Sequence, residues 1–313
     1  MSAWQLSQTV VRTDKPVEAT ARIAIVIPTI NEPAIGKVIS GVRESLDGFD
    51  YEIVVVDKST DSTPENARKA GARIITQENT GYGNAYLTGF RNVSPQVEVV
   101  VMIDGDDTYD PHDIPRLIEP VLNGEADIAL GNRFAHMDDG AMTARNQFGN
   151  RVITRTINLL FRMRLKDSQT GFRALRASAL HGLEFVSSGM PFASEMIIDA
   201  RNKSLKIVEV PVSYRQRVGQ PKMKAYRDGS LIIGLIIRMA QRHNPLSFFL
   251  PVGGLMMLVG LAFWAVVIHE WLTTGMISRM ASVAGGTLLF LAGMQIILFG
   301  LVAGILVTMR SKP

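Results

Sequence analysis

Two hydrophobic rhythms alternate through the first part of the chain. From residue 22 to about residue 131, short unbroken apolar runs (ARIAIVIPT, YEIVVVD, ARIIT, VEVVVMID and ADIALG) are separated by stretches of helical period at 34–46, 62–70, 84–91 and 113–122. Apolar runs without alternation read as strands buried on both faces. Strands that alternate with helices predict a doubly wound, mostly parallel α/β sheet. On such sheets ligands lie beyond the carboxyl ends of the strands. The polar residues gather there: Asn31 and Glu32 after the first strand, Asp57 after the second, Asp104 and Asp106 after the fourth. Residues 145–164 form an amphipathic pattern, with Ile153, Ile157 and Leu160 on one face and Arg151, Arg155 and Arg162 on the other. SLKIVEVPVSYR reads as a later strand, and 230–244 (SLIIGLIIRMAQRHN) as a helix lying along a membrane surface. Residues 1–21 lack an apolar core of signal-peptide length and read as a loose arm.

A third rhythm closes the sequence. Residues 246–268 and 283–309 carry no charge, and each is long enough to cross a bilayer, which takes roughly 20 helical residues. Arg238, Arg242 and His243 precede the first run, and Arg310 and Lys312 follow the second. The connector holds only Arg279 as a basic side chain apart from His269. This bias predicts a transmembrane hairpin with the 22–229 domain and both termini cytoplasmic. The competing reading is a pair of buried core helices in a soluble protein. The expected organisation is therefore an arm (1–21), an α/β domain (22–229), an interfacial helix (230–244) and a two-helix membrane segment (245–313).

Composition narrows the chemistry. Of 313 residues, 47% are hydrophobic and 20% charged, which suits a soluble part joined to a membrane part. No cysteine is present, so disulfides, zinc knuckles and thiol nucleophiles are excluded. A net charge of +4 fits anionic lipid or phosphorylated substrates, and no nucleic-acid partner is expected. Glycine-rich stretches in both apolar runs (VGGLMMLVG and AGGTLLFLAG) permit close helix packing, and with it a homo-oligomer.

The stretch VVVMIDGDDTYDP, residues 99–111, poses the chemical question. A buried strand ends in Asp104, Asp106, Asp107 and Asp110, and carboxylates this close raise one another's pKa or need a cation between them. A hard divalent ion, Mg2+ or Mn2+, takes carboxylate oxygens and leaves positions open for a substrate phosphate. Gly105 would permit the bend that brings both carboxylates to one ion. An EF-hand loop is excluded, because Tyr109 stands where its sharp-turn glycine belongs and Pro115 where its bidentate glutamate belongs. DGDDT also matches the nucleophile motif of haloacid-dehalogenase-type phosphatases, with Asp104 attacking a phosphate. That motif normally opens its fold, whereas three strand–helix units come first here. A solvated acidic loop is the remaining alternative.

Together with IPTINE (27–32), VVVDKSTDST (54–63), NTGYGNAYLTGF (79–90), GNRF (131–134) and DSQTGFRAL (167–175), this motif carries a resemblance. Residues 22–229 resemble family 2 glycosyltransferases of the GT-A fold, a Rossmann-like sheet. They resemble more closely the polyprenyl-phosphate group, which includes dolichol-phosphate mannose and glucose synthases. The resemblance implies that Pro28, Asn31, Glu32, Asp57 and Asp61 line a nucleotide pocket. Asp57 also suits a turn and Asp61 a helix cap. It implies that Gly81 and Gly83 let backbone approach the nucleotide or its diphosphate, and that Asp104, Gly105 and Asp106 hold Mg2+ or Mn2+ beneath the diphosphate. Some relatives carry a glutamine where Thr108 stands, so Thr108, Asp107 or water would complete the metal's ligands. By the same resemblance Arg133 and Arg145 bind the acceptor phosphate, Asp167, Gln169 and Glu195 lie near the sugar or acceptor, and Arg217 and Lys222 clamp the diphosphate. The stripe of Arg151, Arg155 and Arg162 reads as a solvated or lipid-facing surface.

The implied reaction is inverting transfer of a hexose from a UDP- or GDP-sugar to a polyprenyl or dolichyl phosphate at the cytoplasmic face. No general base stands out in the sequence, which fits an acceptor that is already ionised. A processive polysaccharide synthase would share the fold but needs several spans and usually a Gln-x-x-Arg-Trp motif, neither of which occurs. A non-catalytic membrane adaptor would keep the fold without needing Asp104 and Asp106.

Overall fold

The computed structural model of the protein describes residues 22–220 and 225–310. The expected arm, 1–21, lies outside them. In chain order the elements are β1 (Ile23–Thr29), α1 (Ile35–Ser45), β2 (Tyr51–Asp57), α2 (Thr63–Lys69), β3 (Arg73–Thr76), α3 (Tyr82–Arg91), β4 (Val99–Met102), a short 3-10 turn (Pro111–Asp113), α4 (Ile114–Leu122), β5 (Ile128–Met137), α5 (Ala144–Phe161), β6 (Arg173–Arg176), α6 (Ala177–Gly182), α7 (Phe192–Asn202), β7 (Ile207–Tyr214), α8 (Ala225–His243), α9 (Pro245–Thr274) and α10 (Met280–Arg310). The chain divides into two compact units. The first holds residues up to 158 together with 164–235, and the second holds 159–163 and the residues from 236 onward. The boundary expected at 229/230 thus falls inside α8.

In the first unit a seven-stranded sheet has the order β3-β2-β1-β4-β6-β5-β7. All strands run parallel except β6, which is antiparallel to both β4 and β5. β1 is followed by β2 on one side and pairs with β4 on the other, so the crevice of the sheet opens at the carboxyl ends of β1 and β4. Residues of alternate parity serve opposite faces of each strand. Ile23, Ile25 and Ile27 join Ile35, Val38, Ile39 and Val42 of α1 and Ile114, Leu117, Ile118 and Val121 of α4 in one core. On the other face α3 lies close against β1. A Cβ at Gly89 would run into the side chain of Val26 and come within 3.3 Å of Val56 Cγ2.

β6 was not among the strands expected from sequence. It is only four residues long, and it lies inside a segment whose polar residues read as a site motif. Its direction matters more than its length. Because Met102 pairs with Arg173, the turn that precedes β6 lies at the carboxyl end of β4. α5 carries the expected faces, with Ile153, Ile157 and Leu160 buried and Arg151 and Arg155 exposed. It ends at Phe161, before Arg162, whose φ of 53° is left-handed.

The second unit contains the α9–α10 pair. Two helices here are long and apolar enough to cross a membrane, at Pro245–Thr274 and Met280–Val307. Their most apolar windows are only 17% and 11% buried, whereas a core helix of a soluble protein is mostly buried. The helices are longer than the expected spans, and the connector shrinks to residues 275–279. Gly275, at φ 72°, caps α9 by donating its N–H to the Trp271 carbonyl. Of the glycines that suggested close helix packing, Gly253, Gly260, Gly286 and Gly293 line the seam of the hairpin itself. A Cβ on Gly253 would lie 2.5 Å from the Gly293 carbonyl oxygen, and one on Gly260 2.7 Å from that of Gly286.

Gly89→Val is expected to lower the thermal unfolding midpoint of the purified protein by several degrees. The added side chain overpacks the α3–β1 contact, at about 1–3 kcal/mol. The helix propensity that valine gains over glycine is only a few tenths of a kcal/mol and offsets little of that. An unchanged midpoint by scanning calorimetry would mean that α3 is free to move away from β1.

Candidate active site

The turn after β4 carries Asp104 and Asp106 into the crevice. Asp104 Oδ1 accepts hydrogen bonds from the Tyr82 and Tyr86 hydroxyls at 3.2 and 3.3 Å. These tyrosines stand four residues apart on α3, one above the other. Burial, and then the neighbouring Asp106 charge, push the Asp104 carboxyl up to about 7. Burial likewise raises both tyrosine hydroxyls well above their ordinary value. Asp106 Oδ1 accepts from the Thr108 hydroxyl at 2.6 Å and from the Thr108 N–H at 3.1 Å. Its Oδ2 meets Arg217 Nη1 at 2.8 Å, while Arg217 Nη2 reaches Glu32 Oε1 at 2.7 Å. One guanidinium from the segment after β7 thus bridges carboxylates that follow β1 and β4.

Gly105 is not the residue that bends this turn backward. The left-handed backbone belongs to Asp107, at φ 62°. Asp107 turns away to pair with Lys37 of α1, and it does not line the crevice. Of the three expected candidates for completing a metal's ligands, Asp107 is therefore committed elsewhere, and Thr108 lines the crevice beside Asp106.

The residues present fit a hard divalent cation. Two neighbouring carboxylates, Asp104 half-buried and Asp106 buried, face the cavity with no soft donor, and the Asp104 pKa is raised first by burial and then by the Asp106 charge, both of which a cation would offset. Among the described residues no cluster of three or more acidic or histidine ligands occurs, so the other positions would fall to Thr108, water or substrate oxygens.

A second set of side chains comes from the turn before β6. Asp167 is fully buried and takes Arg133 in a two-point pair, from Nε at 2.7 Å and Nη2 at 2.8 Å. The Arg133 guanidinium also lies 5.3 Å from the Tyr214 ring centre. Arg173, also fully buried, donates to the carbonyls of Ser168, Thr170 and Ala193 and so fixes the turn from within. Tyr109 accepts the Gly171 N–H at 2.7 Å. Gly171 has a steric reason to be glycine, since a Cβ there would lie 2.5 Å from Asp104 Oδ2.

A cavity of about 730 Å³ in the first unit opens beside these groups, although Asp167 and Arg173 do not line it. Of the residues singled out in the sequence, Pro28, Glu32, Gly81, Asp104, Gly105, Asp106, Thr108, Arg133, Arg145, Gln169 and Arg217 line it. Asn31, Asp57, Asp61, Gly83 and Glu195 do not. Asn31 and Asp57 brace the rim: the Asn31 side-chain oxygen accepts from Thr60 N at 2.9 Å, and Asp57 accepts from the Thr29 and Ser59 hydroxyls at 2.7 and 2.6 Å. Asp61 accepts from Thr63 N at 2.9 Å in the turn just before α2, whose N-cap is Ser62. Glu195 corrects the expectation that it reaches the sugar, because both its oxygens accept backbone N–H groups, from Val186 at 3.0 Å and Ser187 at 2.8 Å. That same loop explains Gly83 of α3 and Gly81 just before it. A Cβ on Gly81 would strike the Ser188 carbonyl, and one on Gly83 would lie 2.5 Å from the Ser187 carbonyl, so protein packing requires both. Lys222 lies outside the described residues.

The sequence reading missed Tyr82, Tyr86, Tyr109 and Tyr214. The i, i+4 spacing in YGNAY was the available signal for the first two. It also missed the mouth of the cavity, where Met142, Phe148, Ile153, Tyr226 and Ile232 bring apolar surface. Arg145 stands there with its guanidinium 5.2 Å from the Tyr226 ring centre and forms no ion pair among the described residues.

A family model described as glycosyl transferase family 2 matches residues 24–183. The chain is 31% identical to the glycosyltransferase AglJ of Haloferax volcanii, over 93% of its own length and 95% of that protein. It is 35% identical to the dolichyl-phosphate hexose transferase of the same organism, over 69% of its own length and 93% of that protein. Among solved structures, glucosyl-3-phosphoglycerate synthase of Mycobacterium tuberculosis in complex with Mn2+, uridine diphosphate and phosphoglyceric acid aligns with a TM-score of 0.58. That match covers 70% of this chain and 78% of the other at 22% identity, and at that identity it supports the fold alone.

Asp167→Asn should be strongly destabilising, by about 3–5 kcal/mol, because it leaves a buried guanidinium without its counter-charge. Adding Arg133→Met should recover part of the loss. Thermal midpoints of the single and double variants check this, and equal midpoints for wild type and Asp167→Asn would contradict it.

Proposed function

We propose that this chain, which belongs to glycosyl transferase family 2, moves a hexosyl group from a nucleoside-diphosphate sugar to a polyprenyl phosphate of the dolichyl or undecaprenyl type. The chain is a glycosyltransferase, and the haloacid-dehalogenase alternative falls with that assignment. The observation that carries the reading is one cavity lined both by the acid pair with Glu32 and Arg217 and by Arg145 with apolar side chains. The name of the dolichyl-phosphate hexose transferase relative supports the same acceptor class.

The donor's nucleotide would lie over the carboxyl ends of β1 and β2, with Pro28, Gly81 and Glu32 as its walls. Asp104, Asp106 and Thr108 would hold Mg2+ or Mn2+, whose charge, when bound, would neutralise the departing diphosphate. Arg217 would move from Asp106 to the diphosphate oxygens, keeping a guanidinium on the leaving group as the carboxylate acquires a new partner. Arg145 would hold the acceptor phosphate. Arg133 has two of its three nitrogens on Asp167, so its role would be to fix the floor beneath that phosphate and add positive potential.

The acceptor needs no general base. A phosphate monoester has a second pKa of about 6 and is largely ionised at neutral pH. Its oxygen would attack the anomeric carbon from the face opposite the diphosphate. The new C–O bond forms as the bond to the nucleoside diphosphate breaks, giving inversion. Alignment and charge stabilisation are then the whole of the protein's task.

A polyprenyl chain is confined to the bilayer, which gives the α9–α10 hairpin a purpose. The basic residues before α9 and after α10 favour a cytoplasmic position for both ends, and chain connectivity would then put the first unit on that side.

Three measurements test the reading. Purified wild type with Mg2+ or Mn2+, a panel of UDP- and GDP-hexoses and a short polyprenyl phosphate should form a glycolipid, and Asp106→Ala should lower the rate at least about a hundredfold. No product with any donor, or a fully active Asp106→Ala, would remove the proposal. Arg145→Ala should raise the KM for the lipid phosphate about tenfold while leaving that for the nucleotide-sugar nearly unchanged. The chain has no cysteine, so single-cysteine variants report topology directly. An impermeant maleimide should label Ser278→Cys on intact cells and Ser230→Cys only after lysis, and the reverse pattern would invert the assigned orientation.

A further inference from the structure

α5 presents to the cavity two polar side chains to which the proposed chemistry gives no role. Asn146 and Asn150 stand four residues apart on one face of the helix, and both line the cavity. Asn150 is only 7% exposed. Its Nδ2 donates to Asp167 Oδ1 at 3.5 Å, and Asp167 is itself clamped by Arg133. This neighbour decides which way round the carboxamide sits, because the opposite flip would set its oxygen against a carboxylate oxygen. The Asn150 Oδ1 therefore turns away from Asp167. It is buried with no hydrogen-bond donor, and the same holds for Asn146 Oδ1.

A buried acceptor without a donor is costly, and two on one helix face call for an occupant that brings donors. A phosphate dianion has none, so these oxygens repel the acceptor's head group. A hexose has several hydroxyls. Gln169, the neighbouring amide expected near the sugar, is tied to Ser168 and Ser194 at 2.8 and 2.9 Å and competes less well for a ligand. Position agrees with chemistry. α5 follows β5, which lies beyond β4 and β6 from the β1–β2 half where the nucleotide is placed.

Resting on the function proposed above, we infer that Asn150 is a specificity-determining residue that accepts a hydrogen bond from one ring hydroxyl of the transferred hexose, with Asn146 a second acceptor for the same sugar. Asn150 selects among hexoses by requiring a hydroxyl where its oxygen points. A donor lacking that hydroxyl leaves the acceptor buried and unmatched.

The test compares full-length wild type and Asn150→Ala in detergent with Mn2+, by binding and by turnover. In calorimetry the variant should bind the nucleotide-hexose about tenfold more weakly, yet bind the bare nucleoside diphosphate as wild type does. In turnover with the monodeoxy analogues of the accepted donor, wild type should lose about tenfold in kcat/KM on one analogue, and Asn150→Ala should no longer distinguish that analogue from the parent sugar. Equal weakening for the bare nucleoside diphosphate, or a uniform loss across all analogues, would assign Asn150 a structural role through Asp167 and overturn the inference. If Asn150→Ala does not fold, the wild-type panel alone decides, and no discrimination against any single deoxy position overturns it. Wild type that binds the nucleotide-hexose in an Asn150-dependent way but glycosylates no lipid phosphate would remove the acceptor assignment and leave the sugar contact standing.

Discussion

Two carboxylates at the end of one buried strand set the terms for the rest of the catalytic unit. β4 is wholly buried, so Asp104 emerges half-buried and Asp106 buried, side by side at its end. Each neighbouring feature answers their mutual repulsion. Tyr82 and Tyr86 lend hydroxyl donors to Asp104, Thr108 steadies one oxygen of Asp106, and Arg217 covers the other. Gly171 leaves the far side of Asp104 open because any side chain there would collide with it. Arg217 pairs with Asp106 and its charge also favours the ionised form of Asp104, yet burial and the Asp106 charge still hold the Asp104 carboxyl near 7. A site in this state has a strong electrostatic preference for a compact cation held between the two acids.

A second charge constraint organises the other half of the cavity. Arg133 and Asp167 form a buried pair, and truncating one partner of such a pair is more damaging than replacing both. Asp167 does more than neutralise an arginine. It accepts the Gln169 N–H at 3.2 Å and orients Asn150, so the turn before β6, the end of β5 and the face of α5 are set by one carboxylate. This divides the arginines. Arg133 belongs to the frame, and Arg145, with an aromatic ring as its described partner, has its hydrogen-bonding capacity available for an anion.

The sequence was most legible where hydrophobic rhythm and local chemistry coincide. The unbroken apolar runs gave the strands of the parallel half, and the acids that close them marked the crevice. The hairpin followed from length and charge alone. What escaped was what depends on partners distant in the chain. Glu195 looked like a sugar ligand because its type and neighbourhood suit one, but its bonds go to the backbone of Val186 and Ser187, a loop whose course no local pattern reveals. Gly83 looked like room for a nucleotide and is room for that same loop, whereas Gly81 meets the loop and lines the cavity as well. Gly105 looked like the bend, whereas Asp107 takes the left-handed conformation. The hairpin glycines suggested close helix packing, and Gly253, Gly260, Gly286 and Gly293 meet across the α9–α10 seam.

β6 shows why the order of motifs along a chain does not give their arrangement in space. In a wholly parallel sheet, functional loops follow their strands, and a motif placed before a strand would lie at the opposite end from the site. Inserting β6 antiparallel between β4 and β5 reverses this, so the turn ahead of it meets Asp104 directly. The adjoining segment closes the arrangement from the other direction. Arg215 N donates to Thr108 O at 2.8 Å and Val218 N to Asp106 O at 3.1 Å, which ties the stretch after β7 to the acidic turn by backbone as well as by Arg217. The acidic part of the cavity is therefore complete only when β7, the last strand of the sheet, is in register with β5. Binding chemistry read from the first third of the sequence depends on a clamp supplied by the final strand.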